Sequence, residues 1–135
     1  MRDGKIVAAV TGMDHGHING MTEGIGEAGA VIKWAYDPDT EKTKTFLNHF
    51  QKFQVKEAKN LEQILEDPEV DLVLSACIPS QRADLGIRVM EAGKDYFVDK
   101  APFTTLEQLE RIRKAIDKTR RKYMVYYLSL IHISE

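Results

Sequence analysis

Apolar residues in this chain follow two alternating patterns. Residues 5–10 (KIVAAV), 31–36 (VIKWAY) and 71–76 (DLVLSA) are short, dense apolar runs of strand length. Between them the spacing changes to that of a helix, as with Ile18, Met21, Ile25 and Ala28, which Gly29 closes. Asp37-Pro38-Asp39 turns the chain into a second helical stretch with Phe46, Leu47 and Phe50. Residues 53–55 are a short candidate third strand, and Asn60 with Gln63 has the spacing of a capping box ahead of Asp67-Pro68. Residues 80–92 form a helix stopped by Gly93, residues 96–98 a fifth strand, and Thr104 with Glu107 caps a helix carrying Leu106, Leu109, Ile112 and Ile116. Residues 123–127 make a sixth strand.

Strands alternating with helices imply parallel pairing through right-handed crossovers, so the predicted fold is an α/β Rossmann-type, doubly wound parallel sheet. Parallel strands are covered on both faces, which suits apolar runs without polar alternation. Ligands of such sheets bind beyond the carboxyl ends of the strands, so the turns at 11–17, 37–39, 77–82 and 99–103 are where chemistry is sought.

The 135 residues suit a single domain, and 43% hydrophobic with 30% charged residues is an ordinary globular balance. A net charge of −2 argues against a nucleic-acid partner, since phosphate binding needs concentrated Lys and Arg. The basic run over residues 111–122 reads as a solvated helix face. No apolar stretch approaches the roughly 20 residues of a membrane span, and no signal-peptide pattern opens the chain. With Cys77 as the single cysteine, an intrachain disulfide is impossible and a cytoplasmic location is expected.

The first turn, Gly12-Met13-Asp14-His15-Gly16-His17, lies where a G-x-G-x-x-G dinucleotide fingerprint is expected. Gly12 matches the first glycine. Asp14 and His17 occupy the second and third positions, and Gly16 offers close backbone approach one step late. A helix N-terminus there still presents N–H groups to a phosphate. The plain alternative is a simple strand-to-helix turn. The Asp14 carboxylate should either repel a pyrophosphate or act as a helix cap. Asp37, 25 residues after Gly12, sits where an acid binds the adenosine ribose and disfavours the extra phosphate of NADP, so NAD is the expected cofactor and NADP the lesser one. Its plain alternative is a turn-forming Asp before Pro. His15 and His17 have no matching ligand cluster, so no metal is expected, and a polar cofactor contact or plain capping is the expected role of both. Cys77 reads as a core residue.

The segment Gly93-Lys94-Asp95-Tyr96-Phe97-Val98-Asp99-Lys100-Ala101-Pro102 resembles the G-K-x-V-x-x-E-K-P block of the Gfo/Idh/MocA family of glucose–fructose oxidoreductases, inositol dehydrogenases and rhizopine-catabolism proteins. Asp99-Lys100-Ala101-Pro102 stands for Glu-Lys-Pro, with an acid exchanged and an alanine added. The resemblance runs from about Lys5 to Tyr127 and takes in Tyr36-Asp37-Pro38-Asp39, residues 61–68, Val70-Asp71-Leu72-Val73 and Ala92-Gly93-Lys94. It implies an oxidoreductase moving hydride between NAD(P) and a sugar, inositol or related polyol. It also implies that Lys100 touches the reacting hydroxyl, that Asp99 and Pro102 line the nicotinamide end, and that Cys77, Ile78 and Pro79 pass along the cofactor. Ser80 replaces the family's usual asparagine, and Arg82 lies near its usual histidine. The substrate domain that completes such enzymes, and through which a homo-oligomer would form, is not recognisable here.

Two readings from other classes are weaker. A phosphoacceptor receiver domain needs an acidic pair after the first strand and an acceptor Asp ending the third. A methyltransferase has no use for the Lys100 block. Residues 128–135 (LSLIHISE) match the translation of a transposase sequencing adapter, CTG TCT CTT ATA CAC ATC TCC GAG. The expected organisation is therefore a dinucleotide-binding domain over 1–127 and a non-native tail over 128–135, with the fragment inactive by itself.

Overall fold

The computed structural model describes residues 1–14, 16–99 and 105–126. Strands β1 (Val7–Thr11), β2 (Val31–Tyr36), β3 (Lys56–Glu57), β4 (Leu72–Ser75), β5 (Asp95–Asp99) and β6 (Tyr123–Tyr126) form one sheet in the order β3-β2-β1-β4-β5-β6. Every pairing is parallel. The helices α1 (His17–Glu27), α2 (Thr40–His49), α3 (Leu61–Leu65), α4 (Pro79–Glu91) and α5 (Leu106–Thr119) are the crossovers. The chain is thus a Rossmann-like α/β domain, as its alternating pattern predicts. No helix among the described residues is long and apolar enough to cross a membrane.

Successive residues of β1 serve opposite cores. Ala8 and Val10 pack with Ile18, Met21, Phe46 and Phe50 from α1, α2 and the turn after it. Val7 and Ala9 pack with Ile64, Val89 and Tyr96 on the other face. Both faces are apolar because both are covered, which is why the strand pattern is a run rather than an alternation.

The third strand differs from its expected place. Phe53 ends a short 3-10 turn (Gln51–Phe53), and Gln54 then adopts a left-handed φ of +57° that breaks any extended run through 53–55. The ring of Phe53 stacks on Phe50 at 5.7 Å between centroids and lies against Gly26 with no room for a Cβ. Its hydrophobicity serves core packing, and pairing falls to the exposed Lys56 and Glu57. The α5 cap is also displaced by one residue: Thr105 Oγ1 accepts from the Gln108 N–H, and Gln108 Oε1 from the Thr105 N–H. Asn60 caps α3 as expected, but the Gln63 side chain returns to the Lys59 N–H.

At the amino ends of the strands, Lys33 bridges Asp67 and Glu69, Arg2 pairs with Glu69 at 2.6 Å, and Trp34 Nε1 donates to Asp67 at 2.8 Å. Lys94, 3% exposed, donates to the carbonyls of Asp67 and Val70. Burial would raise the Asp67 carboxyl, but the hydrogen bonds from Lys33 and Trp34 outweigh it and hold the group at about 2. Arg2 and Lys33 hold Glu69 at about 2 as well.

Two outcomes are expected. Both carboxyls titrate lower folded than unfolded, where they lie near 4. Their stabilisation is therefore complete above about pH 4 and is lost as pH falls toward 2. Urea midpoints should fall across that window, and Lys33→Met should flatten the fall. The second concerns α4. Gly→Ala inside a helix normally stabilises by about 0.5–1 kcal/mol, but a Cβ on Gly86 would lie 2.6 Å from the Tyr123 ring and 2.7 Å from that of the buried Tyr96. Overpacking should win, and Gly86→Ala should destabilise by about 1–3 kcal/mol in a denaturant titration.

Candidate functional site

The carboxyl ends of β1, β2, β4 and β5 meet around the turn that follows β1. Gly12 holds φ at +78°. Its N–H donates to the Tyr36 carbonyl at 3.3 Å, and its carbonyl accepts from the Ala76 N–H at 2.8 Å. A Cβ here would lie 2.7 Å from Cys77 Cβ and 2.8 Å from Ser75 Oγ. Only glycine satisfies both the dihedral and the close approach.

Asp37 is buried, at 5% exposure. Its Oδ2 accepts from the Met13 N–H and its Oδ1 from the Asp39 N–H, both at 2.8 Å. The carboxylate therefore clamps the glycine turn to the end of β2. The turn-forming alternative is present in the structure, and each oxygen keeps a second lone pair for another donor.

Asp14 does not cap α1. Its Oδ1 accepts from Lys42 Nζ at 2.6 Å and its Oδ2 from the Ile78 N–H at 3.1 Å. One side chain thus joins the glycine turn to α2 and to the loop after β4. Gly16 is the N-cap of α1, and a Cβ on it would meet nothing within 4 Å. That backbone stays open to a ligand.

His17 Nδ1 lies 2.9 Å from Asp99 Oδ1, and Asp99 is 1% exposed. Arg82, equally buried, donates through Nε to the Cys77 carbonyl at 2.7 Å and through a terminal nitrogen to the Asp99 carbonyl at 3.3 Å. This network ties the first turn, the β4–α4 loop and the end of β5 together. Burial pushes the Cys77 thiol up, which fits a packing residue and not a nucleophile. Ile78 is exposed, and Pro79 opens α4.

A cleft of about 410 Å³ runs between these elements, lined among others by Gly12, Asp37, Asp39, Lys42, Cys77 and Ile78. It lies at the switch point where β1 separates β2 from β4, the usual ligand site of this topology. His15, Lys100, Ala101 and Pro102 lie outside the described residues. No group of three metal-ligating side chains occurs among the described residues. Sequence reasoning missed Lys42. Its signal is a lysine in the first turn of a helix capped by Asp39, where the helix dipole disfavours a cation unless an acid holds it.

Comparisons with known proteins agree with this geometry. Residues 10–127 match the family described as "Oxidoreductase family, NAD-binding Rossmann fold" (GFO_IDH_MocA). A protein assigned as an oxidoreductase from Erwinia carotovora atroseptica SCRI1043 superposes with a TM-score of 0.86 at 38% identity, over 90% of this chain and 36% of that one. The WlbA dehydrogenase from Bordetella pertussis, solved with NADH and UDP-GlcNAcA, gives 0.81 at 20% identity over 93% of this chain and 36% of its own. Biliverdin reductase from Synechocystis sp. PCC 6803, solved with biliverdin and NADP+, gives 0.77 at 16% identity over 93% and 39%. These last two show a shared fold. The chain spans a little over a third of the length of each.

Asp37→Ala leaves two backbone N–H groups without their acceptor. It should cost about 1–3 kcal/mol of stability before any ligand is added, measured as a shift in urea midpoint.

Proposed function

This chain belongs to the Gfo/Idh/MocA oxidoreductase family, and we propose that it is the nicotinamide-dinucleotide-binding part of a dehydrogenase acting on a sugar, inositol or related polyol. The observation that carries the proposal is the cleft at the β1/β4 switch point, with Gly12 at its turn and Asp37 at the end of β2. The residues present fit a dinucleotide: the backbone at Gly16 is open, and the cleft walls are already tied in place by Asp37 and Arg82.

In this reading the N–H groups at the start of α1, beside the open backbone of Gly16, receive the pyrophosphate, and Gly12 supplies the tight turn that lets them approach it. Asp37 accepts from the adenosine ribose and favours NAD over NADP. Cys77, Ile78 and Pro79 pass along the cofactor, and His15 supplies a polar contact. When bound, the nicotinamide supplies a hydride acceptor or donor. Asp99 and Pro102 flank Lys100 in the sequence, and the Lys100 Nζ would hold or move the proton of the reacting hydroxyl. The buried Asp99 holds His17 and receives Arg82, so the strand end leading into Lys100 is firmly set.

The relatives extend well beyond the part this chain matches. We place the wall that orients the polyol, and with it substrate choice, in sequence outside these residues. Residues 128–135, outside the described residues, take no part in this reading. Hydride transfer needs the reacting atoms about 3–3.5 Å apart, held by both walls.

Calorimetric titration of this chain should show NAD binding, tighter than NADP. Binding of neither dinucleotide would sink the proposal, and tighter NADP would sink the NAD preference. Assayed against a polyol panel by NADH absorbance, the chain alone should show no turnover.

A further inference from the structure

Lys42 is the ammonium of a cleft that also presents Asp14, Asp37 and Asp39. Its Nζ is held by Asp14 at 2.6 Å, and the second oxygen of Asp14 is fastened to the Ile78 N–H. The carboxylate is therefore anchored on one wall while its cation comes from the other. The Asp14 hydrogen bond raises the Lys42 ammonium, against a smaller opposing effect of burial, and the fields of Asp37 and Asp39 add to the rise. Lys42 also lines a neighbouring recess of about 270 Å³ beside Gly16 and Asn19. With a side chain 41% exposed and a flexible four-carbon stem, it can serve either space.

On the reading that the cleft holds a dinucleotide, we propose that Asp14 sets the choice between NAD and NADP by competing for Lys42. While Asp14 holds the ammonium, the end of β2 offers a dinucleotide the carboxylates of Asp37 and Asp39, and a ribose carrying free hydroxyls is preferred. With Asp14 neutralised, Lys42 is released within the same cleft to a phosphate on that ribose. An exposed ion pair is worth only about 0–1 kcal/mol. What keeps a phosphate away is therefore less the strength of that pair than the anchored negative charge of Asp14 itself, and removing the charge leaves the Lys42 ammonium to the phosphate.

Affinities of this chain for NAD+ and NADP+ would be measured by titration for the unaltered sequence, Asp14→Asn, Lys42→Met and the double variant. Asp14→Asn should shift the affinity ratio toward NADP+ by roughly tenfold, the scale of one charge-assisted hydrogen bond. Adding Lys42→Met should return it. Asp14→Gly should reproduce the shift should the asparagine variant not fold. An unchanged ratio, or equal changes for both dinucleotides, overturns the proposal and makes Lys42 a general phosphate contact or a surface pair. If the unaltered chain binds neither dinucleotide, the parent reading fails and this one with it.

Discussion

The close approach of Gly12 to the end of β4 is the constraint on which the rest of the site depends. Its positive φ turns the chain off β1, and its two backbone bonds reach β2 on one side and β4 on the other. The adjoining carbon atoms of Cys77 leave no space for a side chain. Any larger residue would have to separate the β1 turn from the β4–α4 loop. The cleft exists because these two loops leave the sheet in opposite directions from adjacent strands, and Gly12 lets them leave close together.

Around that contact the structure uses buried polar groups as fasteners. Asp37 holds the turn from the β2 side, and Arg82 with Asp99 and His17 holds it from the β5 side. Asp37 and Arg82 each satisfy backbone groups of two different segments, and the Asp99 carboxylate joins the end of β5 to the His17 side chain. A loop region dense with backbone polar atoms cannot be covered by apolar side chains without leaving donors unpaired. Pre-paired acids and a guanidinium solve that problem and keep the cleft walls in place without a ligand. The same solution makes the cleft acidic, and Lys42 is the local answer to that acidity.

Most of the fold was legible because its signals are local. Apolar runs marked β1, β2, β4, β5 and β6, and the glycines after α1 and α4 adopt φ of +104° and +85°. The failures were also physical. Phe53 looked like a strand residue because hydrophobicity does not distinguish a strand from an aromatic anchor folded back on Gly26. Thr104 and Thr105 are equivalent as caps to a reader of sequence, and the helix took the second.

By itself the sequence determined the α/β alternation, the glycine turn, the acid at the end of β2 and the family, since each rests on residue type at a spacing along the chain. Only the tertiary structure decided what those residues touch. Asp14 was a misplaced acid in a glycine motif until α2 brought Lys42 to one oxygen and the β4–α4 loop brought the Ile78 N–H to the other. Asp37 had two open roles until Met13 and Asp39 were seen on its carboxylate. Arg82 was an oddity near a motif until it reached Cys77 and Asp99. These partners lie between 2 and 64 residues away along the chain. The Asp37–Asp39 turn is local, but the longer pairings follow from strand order and packing, which no local pattern of residues encodes.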